Sequence, residues 1–219
     1  MNDSIKRYED IISSIKSKLE NKNDSKFPKI IAVSKTFKLE KISPLIKYGH
    51  MHYGENKVQE AIDKWSDVKQ KNPDIKLHLI GKLQTNKVKF VLKVFDYIHS
   101  VDTKKLAQKI ADEQVKQNKK IKIFIQVNLG NETQKNGIAK NELNDFYNFC
   151  IKLNLNILGL MCIPPINEDP NEYFKEMKLL NKKLNLIDLS MGMSSDYLKA
   201  VEHSSTYLRI GSRIFGDRT

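Results

Sequence analysis

The 219-residue chain contains only two cysteines, and their spacing matches no metal or redox motif. Cys150 and Cys162 form no CxxC pair. Thiol-based zinc and disulfide-exchange chemistry is therefore excluded, and the low cysteine content suits a reducing compartment. We predict that both cysteines are core residues and that the protein is cytoplasmic.

Long apolar runs are absent, and so is a signal peptide. No segment approaches the roughly 20 apolar residues needed to span a bilayer. Residues 1–20 instead have the periodicity of an amphipathic helix. Its apolar side carries Ile5, Tyr8, Ile12, Ile15 and Leu19. We expect no contact with membranes, and we assign residues 1–28 to a leading helix and its connection.

Arginine is scarce although the formal net charge is +12, because 34 of the 38 basic residues are lysine. The most basic runs, 116–123 and 178–184, contain no aromatic residues. Such lysines usually form the solvated face of a helix. We predict no nucleic-acid partner. A binding module that uses surface lysines remains an alternative, and a steep salt dependence of nucleic-acid binding would support it.

Eight short apolar segments alternate with segments of helical periodicity. Because no hairpin turns separate them, the order predicts parallel strands joined by helices. The predicted strands are 29–34, 50–54, 77–81, 97–101, 122–128, 156–161, 186–191 and 206–211. The predicted helices between and after them are 42–48, 57–65, 87–94, 106–115, 142–153, 173–184 and 197–202.

This order predicts an α/β fold, a single-domain (β/α)8 TIM-type barrel over residues 1–219 with an extra N-terminal helix. A doubly wound open sheet is the alternative. The first turn after a strand, "SKTF", lacks a GxGxxG dinucleotide fingerprint, which favours the barrel. No linker divides the chain, and the sequence stops soon after the eighth predicted strand.

Unusual residues occur where the predicted strands end, which is where TIM barrels place their chemistry. Lys35 ends the first strand, and Arg209 lies in the eighth. In a lysine-biased chain, an arginine kept in a strand suggests a need for its planar fork and permanent charge. Arg213 and Arg218 are more simply surface or ion-paired residues.

The segments "GMSS" and "RIGS" predict a phosphate site after strands seven and eight. Gly192 and Gly211 permit close backbone approach, while Ser194 and Ser212 add hydroxyl donors. A partly desolvated Lys35 opposite a phosphate could form a Schiff base with an aldehyde. Together these features indicate a pyridoxal phosphate (PLP) site. The alternative for Lys35 is an ordinary lysine that extends to solvent.

Seven segments, spread from residue 29 to 218, carry a resemblance to a known family. The chain resembles the pyridoxal phosphate homeostasis proteins, the YggS-like proteins of bacteria. The segments are "AVSKTF", "YGENKVQEA", "HLIGKLQTNKVK", "IHSVDTKKLA", "IQVNLGNETQKNGI", "GLMCIPP" and "LSMGMSSDYLKAVEHSSTYLRIGSRIFGDR".

The resemblance implies a barrel like the N-terminal domain of alanine racemase, with PLP on Lys35. It places Asn56 beside the cofactor and Arg209 opposite the pyridine nitrogen. His78 belongs to the same motif set, either at the cofactor or as a core histidine. The implied phosphate ligands are Ser194, Gly211 and Ser212. Lys82 and the loop 133–137 depart from the family pattern at the rim, which leaves partner behaviour open.

The implied function is a PLP carrier in vitamin B6 homeostasis, without substantial turnover, that serves PLP-dependent apoenzymes as a monomer. A PLP-dependent racemase or lyase is the alternative. A cation at the ring nitrogen disfavours the pyridinium that broad amino-acid chemistry uses. Tyr53 is a weak candidate for a racemase base. His50 and His52 share a predicted strand face, but two ligands make a poor zinc site.

Overall fold

The fold is a closed barrel of eight parallel strands, seen in a computed structural model that describes residues 2–20, 26–130 and 136–217. The hydrogen-bonded order around the barrel is β1-β2-β3-β4-β5-β7-β8-β9, and β9 pairs again with β1. The short β6 pairs with β5. The strands are β1 Lys29–Val33, β2 His52–Glu55, β3 Lys76–Leu79, β4 Tyr97–Val101, β5 Lys122–Asn128, β6 Ile138–Ala139, β7 Asn156–Met161, β8 Asp188–Met193 and β9 Tyr207–Ile210.

Closure decides between the two predicted architectures. In register, Ile31 of β1 lies opposite Arg209 of β9, and Tyr97 of β4 lies opposite Lys122 of β5. Because both pairings exist, the eight barrel strands close into a ring, and the barrel prediction is confirmed. The open-sheet alternative is excluded.

Nine α-helices surround or cap the barrel in the described residues. They are α1 Asp3–Leu19, α2 Leu39–Lys47, α3 Val58–Lys71, α4 Val88–Val94, α5 Lys104–Gln117, α6 Leu143–Lys152, α7 Pro170–Lys183, α8 Tyr197–Glu202 and α9 Ser212–Phe215. Single 3-10 turns at Thr85–Lys87 and Lys140–Glu142 precede α4 and α6. None of these helices is long and apolar enough to cross a bilayer.

The leading helix α1 is confirmed and packs against α2, α8 and α9. Its N-terminus is capped by Asn2, whose side-chain oxygen accepts from the Ser4 N–H at 3.0 Å. Ile11 and Ile15 are buried under it. The helix therefore covers the part of the barrel formed by its first and last elements.

The core has two layers, as a barrel requires. The larger lies between the strands and the helices and includes Trp65, Phe146 and Phe174, all fully buried. The smaller joins side chains from five different strands, which can meet only inside the barrel: Ile31, Tyr97, Phe124, Met161 and Tyr207. Cys150 and Cys162 are both buried, as predicted.

Candidate cofactor site

A cavity of about 630 Å³ opens at the carboxyl ends of the strands. Its size lies within the range of small-molecule sites. Six of the seven predicted site residues line it: Lys35, Asn56, Ser194, Arg209, Gly211 and Ser212. The remaining lining residues are Val33, Ile80, Gly81, Ile163, Met193, Ser195 and Asp217. Which of these contact a ligand stays a prediction.

The turn that presents Lys35 is fixed by residues of the following β/α unit. The Ser34 hydroxyl donates to the Glu55 carboxylate at 2.7 Å, and Lys64 Nζ donates to the Ser34 carbonyl at 3.0 Å. Thr36 has a positive φ of 68°, and its N–H donates to Glu60 Oε1 at 2.8 Å. Because both neighbours of Lys35 are bonded, the lysine leaves β1 in a defined direction.

We call Ser34, Glu55, Glu60 and Lys64 the brace of Lys35. Its central residue, Glu55, is fully buried. Glu55 Oε1 accepts hydrogen bonds from Lys64 Nζ at 3.0 Å and from Trp65 Nε1 at 2.9 Å, in addition to that from Ser34. The sequence prediction missed Glu55, Glu60 and Lys64. The available signal was the four-residue spacing of Glu60 and Lys64, which places them on one face of α3.

Asn56 follows Glu55 directly and forms part of the cavity wall. Its Oδ1 is buried and has no hydrogen-bond partner among the described residues. A Cβ on Gly81 would lie 2.4 Å from the Asn56 carbonyl oxygen, so only glycine permits this close approach of the turns that follow β3 and β2. A buried amide oxygen normally accepts a hydrogen bond, so the chemistry of Asn56 fits a ligand that carries a donor.

Arg209 forms the inner wall of the cavity and is only 4% exposed. Its Nη1 donates to the Ser190 carbonyl at 2.7 Å and to the Ser190 hydroxyl at 2.8 Å, while Nη2 donates to the Cys162 carbonyl at 2.8 Å. Burial lowers the pKa of the guanidinium from its ordinary value. Since all three acceptors are uncharged oxygens, its positive charge is not neutralised by an ion pair within the described residues.

The loops after β8 and β9 form a cup of small residues. Gly211 N–H donates to Ser194 Oγ at 3.2 Å, which joins the two loops. Gly192 has φ +91°, and a Cβ there would lie 2.6 Å from Ala200 Cβ. The Met193 N–H donates to Asp196 Oδ1, which fixes the loop start. The segments "GMSS" and "RIGS" therefore meet at one end of the barrel, and that they bind a phosphate stays a prediction.

His78 lies elsewhere: it is fully buried inside the barrel and does not line the cavity. It bonds to His52 and His99, each at 2.9 Å, and stacks on Tyr97 with ring centroids 4.1 Å apart. Of its two predicted places, the structure shows that of a core histidine. Burial lowers the pKa of His78 well below its usual value.

Two further candidates are also placed away from the cavity. Tyr53 is fully buried and packs on Trp65, with a raised pKa caused by burial. His50 precedes β2 and bonds to Tyr8 at 2.9 Å, whereas His52 faces the barrel interior. The expectation that the two histidines share a face was therefore wrong. The described residues contain no group of three metal ligands.

The two departures from the family pattern, Lys82 and the loop 133–137, lie in different parts of the chain. Lys82 lies beside the cavity-lining Gly81 and is exposed. The first residues of the loop 133–137, and also Arg218, lie outside the described residues. Arg213 is exposed and lies over the Tyr197 ring, 5.5 Å from its centroid, as expected for a surface arginine.

The lysine that follows β1 and the glycine and serine cup after β8 and β9 lie where TIM barrels often bind phosphorylated ligands. Residues 12–219 match the family described as the alanine racemase N-terminal domain. The chain is 38% identical over 200 residues to the pyridoxal phosphate homeostasis protein of Aquifex aeolicus, covering 87% of each. The chain belongs to the pyridoxal phosphate homeostasis protein family.

Solved structures agree with this assignment. PipY of Synechococcus elongatus, without PLP, superimposes with a TM-score of 0.86 at 31% identity and covers 98% of this chain and 100% of its own. The same protein with PLP bound gives a TM-score of 0.82 at 32% identity, with 94% and 100% covered. The barrel is thus a fold in which a relative has been seen with the cofactor.

Proposed function

We propose that the protein binds PLP in the cavity at the carboxyl ends of the strands and acts in its homeostasis. The observation that carries the proposal is the convergence of Lys35, Asn56 and Arg209 on one cavity beside the serine and glycine cup. The family membership and the PLP-bound relative support it.

Lys35 would hold the cofactor covalently. When bound, PLP would supply an aldehyde with which the primary amine of Lys35 could condense reversibly, with release of water. The reverse reaction consumes water and returns the free amine. The hydrogen bonds to Ser34 and Thr36 orient Lys35 for this condensation. Reversible attachment of this kind is sufficient for a carrier.

The other lining residues would orient the cofactor. Ser194, Gly211 and Ser212 would bind the phosphate through hydroxyl and backbone donors. Arg209 would face the pyridine nitrogen as a hydrogen-bond donor, and its charge would disfavour a proton there. Asn56 Oδ1 would accept a hydrogen bond from the cofactor or from water bound with it.

The lining argues for storage rather than turnover. Among the described residues of the cavity wall, the titratable side chains are Lys35, Arg209 and Asp217, and none is a histidine, cysteine or tyrosine. A racemase needs an acid and a base positioned on opposite faces of its substrate. Tyr53, the candidate base, is buried outside the cavity. We therefore favour the carrier over the racemase or lyase.

The experiment compares delivery with turnover. The purified protein is loaded with PLP, mixed with an apoenzyme that requires PLP, and the recovery of that enzyme's activity is measured against free PLP at the same concentration. The same loaded protein is incubated with L-amino acids in D2O. We expect transfer without α-hydrogen exchange. Exchange at an enzyme-like rate, on the order of 1 s⁻¹ or faster, would replace the carrier with a racemase or lyase.

Further properties follow from the same proposal. We predict that the protein works as a monomer in the cytoplasm and meets apoenzymes through the cavity rim. Size-exclusion chromatography with light scattering, with and without PLP, tests the monomer prediction. A shift of mass on loading would contradict it.

A further inference from the structure

A continuous line of hydrogen bonds crosses the barrel interior and ends on Arg209. His52 Nδ1 lies 2.9 Å from His78 Nε2, and His78 Nδ1 lies 2.9 Å from His99 Nε2. His99 Nδ1 lies 2.8 Å from Ser190 Oγ, which accepts from Arg209 Nη1 at 2.8 Å. The line therefore connects four side chains to a residue of the cavity wall.

These hydrogen bonds join residues that are far apart in the sequence and that barrel closure brings together. The residues come from β2, β3, β4, β8 and β9, and the bond between His99 and Ser190 joins strands that are not neighbours in the barrel. His78, His99 and Ser190 are fully buried. His99 also stacks on Phe124, with ring centroids 4.4 Å apart. Polar groups buried so deeply are retained only when they are satisfied.

The chemistry of the two ends gives the line a direction. A guanidinium can only donate, so Ser190 Oγ accepts from Arg209. Among the residues that the structure describes, the remaining hydroxyl proton of Ser190 then has one bonded neighbour that can accept it, Nδ1 of His99. A neutral imidazole has one donor and one acceptor, so a histidine that accepts at Nδ1 carries its proton on Nε2. His99 therefore donates from Nε2 to Nδ1 of His78. His78 in turn donates from Nε2 to Nδ1 of His52, whose own proton is then also on Nε2.

We propose that His52, His78 and His99, all neutral and protonated on Nε2, keep Ser190 oriented as an acceptor for Arg209 and thereby position the guanidinium in the cavity. They are positioning residues, since none lines the cavity wall. The direction of the line stands on the hydrogen bonds alone. Its effect on PLP rests on the proposed function.

The electrostatic surroundings favour the neutral forms. Burial and the charge of Arg209 hold the pKa of His99 well below its usual value. Burial also lowers the pKa of His52 to about 4, helped by Lys29, Lys76 and Lys122 and opposed by Asp96. A protonated His99 would place two donors on Ser190 and leave the hydroxyl proton without an acceptor.

The direction can be measured without any variant or cofactor. In 15N-labelled protein at pH 7, long-range 1H–15N correlations distinguish the two ring nitrogens of all five histidines. We expect a protonated Nε2 and a bare Nδ1 at His52, His78 and His99. His50 calibrates the spectrum, because its Nε2 lies 2.8 Å from the His52 carbonyl, which only accepts. An Nδ1–H form or an imidazolium at His78 or His99 overturns the proposal.

The effect on the cofactor is tested with a matched pair, His99→Asn and His99→Leu. The two new side chains have the same shape, but only the asparagine Oδ1 can replace Nδ1 as the acceptor for Ser190. We expect the dissociation constant for PLP to be about tenfold higher in His99→Leu than in His99→Asn, the size of one charge-assisted hydrogen bond. The absorption maximum of the bound cofactor should also shift only in His99→Leu.

The outcomes distinguish the tautomers of the histidines from the effect of the histidines on PLP binding. Equal PLP affinity and equal spectra in two folded variants would refute the positioning role. If the unmodified protein binds no PLP, the proposed function fails, whereas the tautomer result still decides the direction of the line. If His99→Leu does not fold, Ser190→Ala removes the same link with a smaller change, and the same tenfold loss is expected.

Discussion

Lys64→Met should destabilise the protein strongly, because it would leave a buried carboxylate without its cation. The Glu55 side chain is 0% exposed and that of Lys64 is 10% exposed, with Nζ 3.0 Å from Glu55 Oε1. Removing one partner of a buried pair costs about 3 to 5 kcal/mol. For a chain of this size, that loss lowers the melting temperature by about 10 °C.

The assay is thermal and urea unfolding, with an exposed ion pair as the matched control. Lys175 and Glu172 approach to 4.0 Å, with side chains 64% and 80% exposed. Lys175→Met should therefore cost less than about 1 kcal/mol. The double variant Glu55→Gln with Lys64→Met removes the uncompensated charge and should recover at least half of the loss.

The functional consequence follows from the same contacts. Lys64 also donates to the Ser34 carbonyl beside Lys35, so the variant loosens the turn that presents the lysine. PLP binding should weaken even at a temperature where the variant is folded. A Lys64→Met protein as stable as Lys175→Met, with unchanged PLP affinity, would refute the role given to the brace.

Two further predictions concern the cup and the histidines His50 and His52. The double variant Ser194→Ala, Ser212→Ala should weaken PLP binding by about tenfold or more per lost phosphate contact. Its affinity for unphosphorylated pyridoxal, measured by the same absorbance titration, should not change. Equal losses of affinity for both ligands would contradict the phosphate assignment. The pKa values of His50 and His52 in the folded protein are lowered to about 4. Below pH 6.5 the unfolded chain therefore binds more protons than the folded one, and the free energy of unfolding should fall as the pH is lowered from about 6.5 to 4. The expected slope is up to about 1.4 kcal/mol per pH unit for each histidine. Urea unfolding across this window checks the slope, which His52→Gln should reduce; an unchanged slope would show that His52 does not contribute.

Much of the fold could be predicted because the strands are short apolar runs. Tyr97–Val101 and Lys122–Asn128 have the predicted bounds. Helix α3 extends beyond the predicted end at Trp65 to Lys71. Its last turns are polar and carry no apolar periodicity, and Lys69 stabilises them by donating to the Val94 carbonyl and to Asp96. Periodicity cannot detect a helix end stabilised by such contacts.

The site was predictable where a residue type is informative by itself. Lys35 and Arg209 stand out at strand ends, and both line the cavity. Glu55 and Ser190 were missed, because their importance comes from contacts between strands that only barrel closure brings together. His78 was chosen from a motif, although its position in β3 directs it into the barrel interior rather than to the mouth.

The most direct test of the PLP assignment is borohydride reduction of the protein as purified from cells, followed by peptide mass mapping. Reduction makes a Schiff base permanent, so the modified lysine can be located among the 34 in the chain. Lys35→Ala tests the site, and Lys38→Ala, at an exposed lysine nearby, is the matched control. A pyridoxyl group confined to Lys35, lost in Lys35→Ala and kept in Lys38→Ala, is the predicted result; no adduct, or adducts scattered over many lysines, would contradict it.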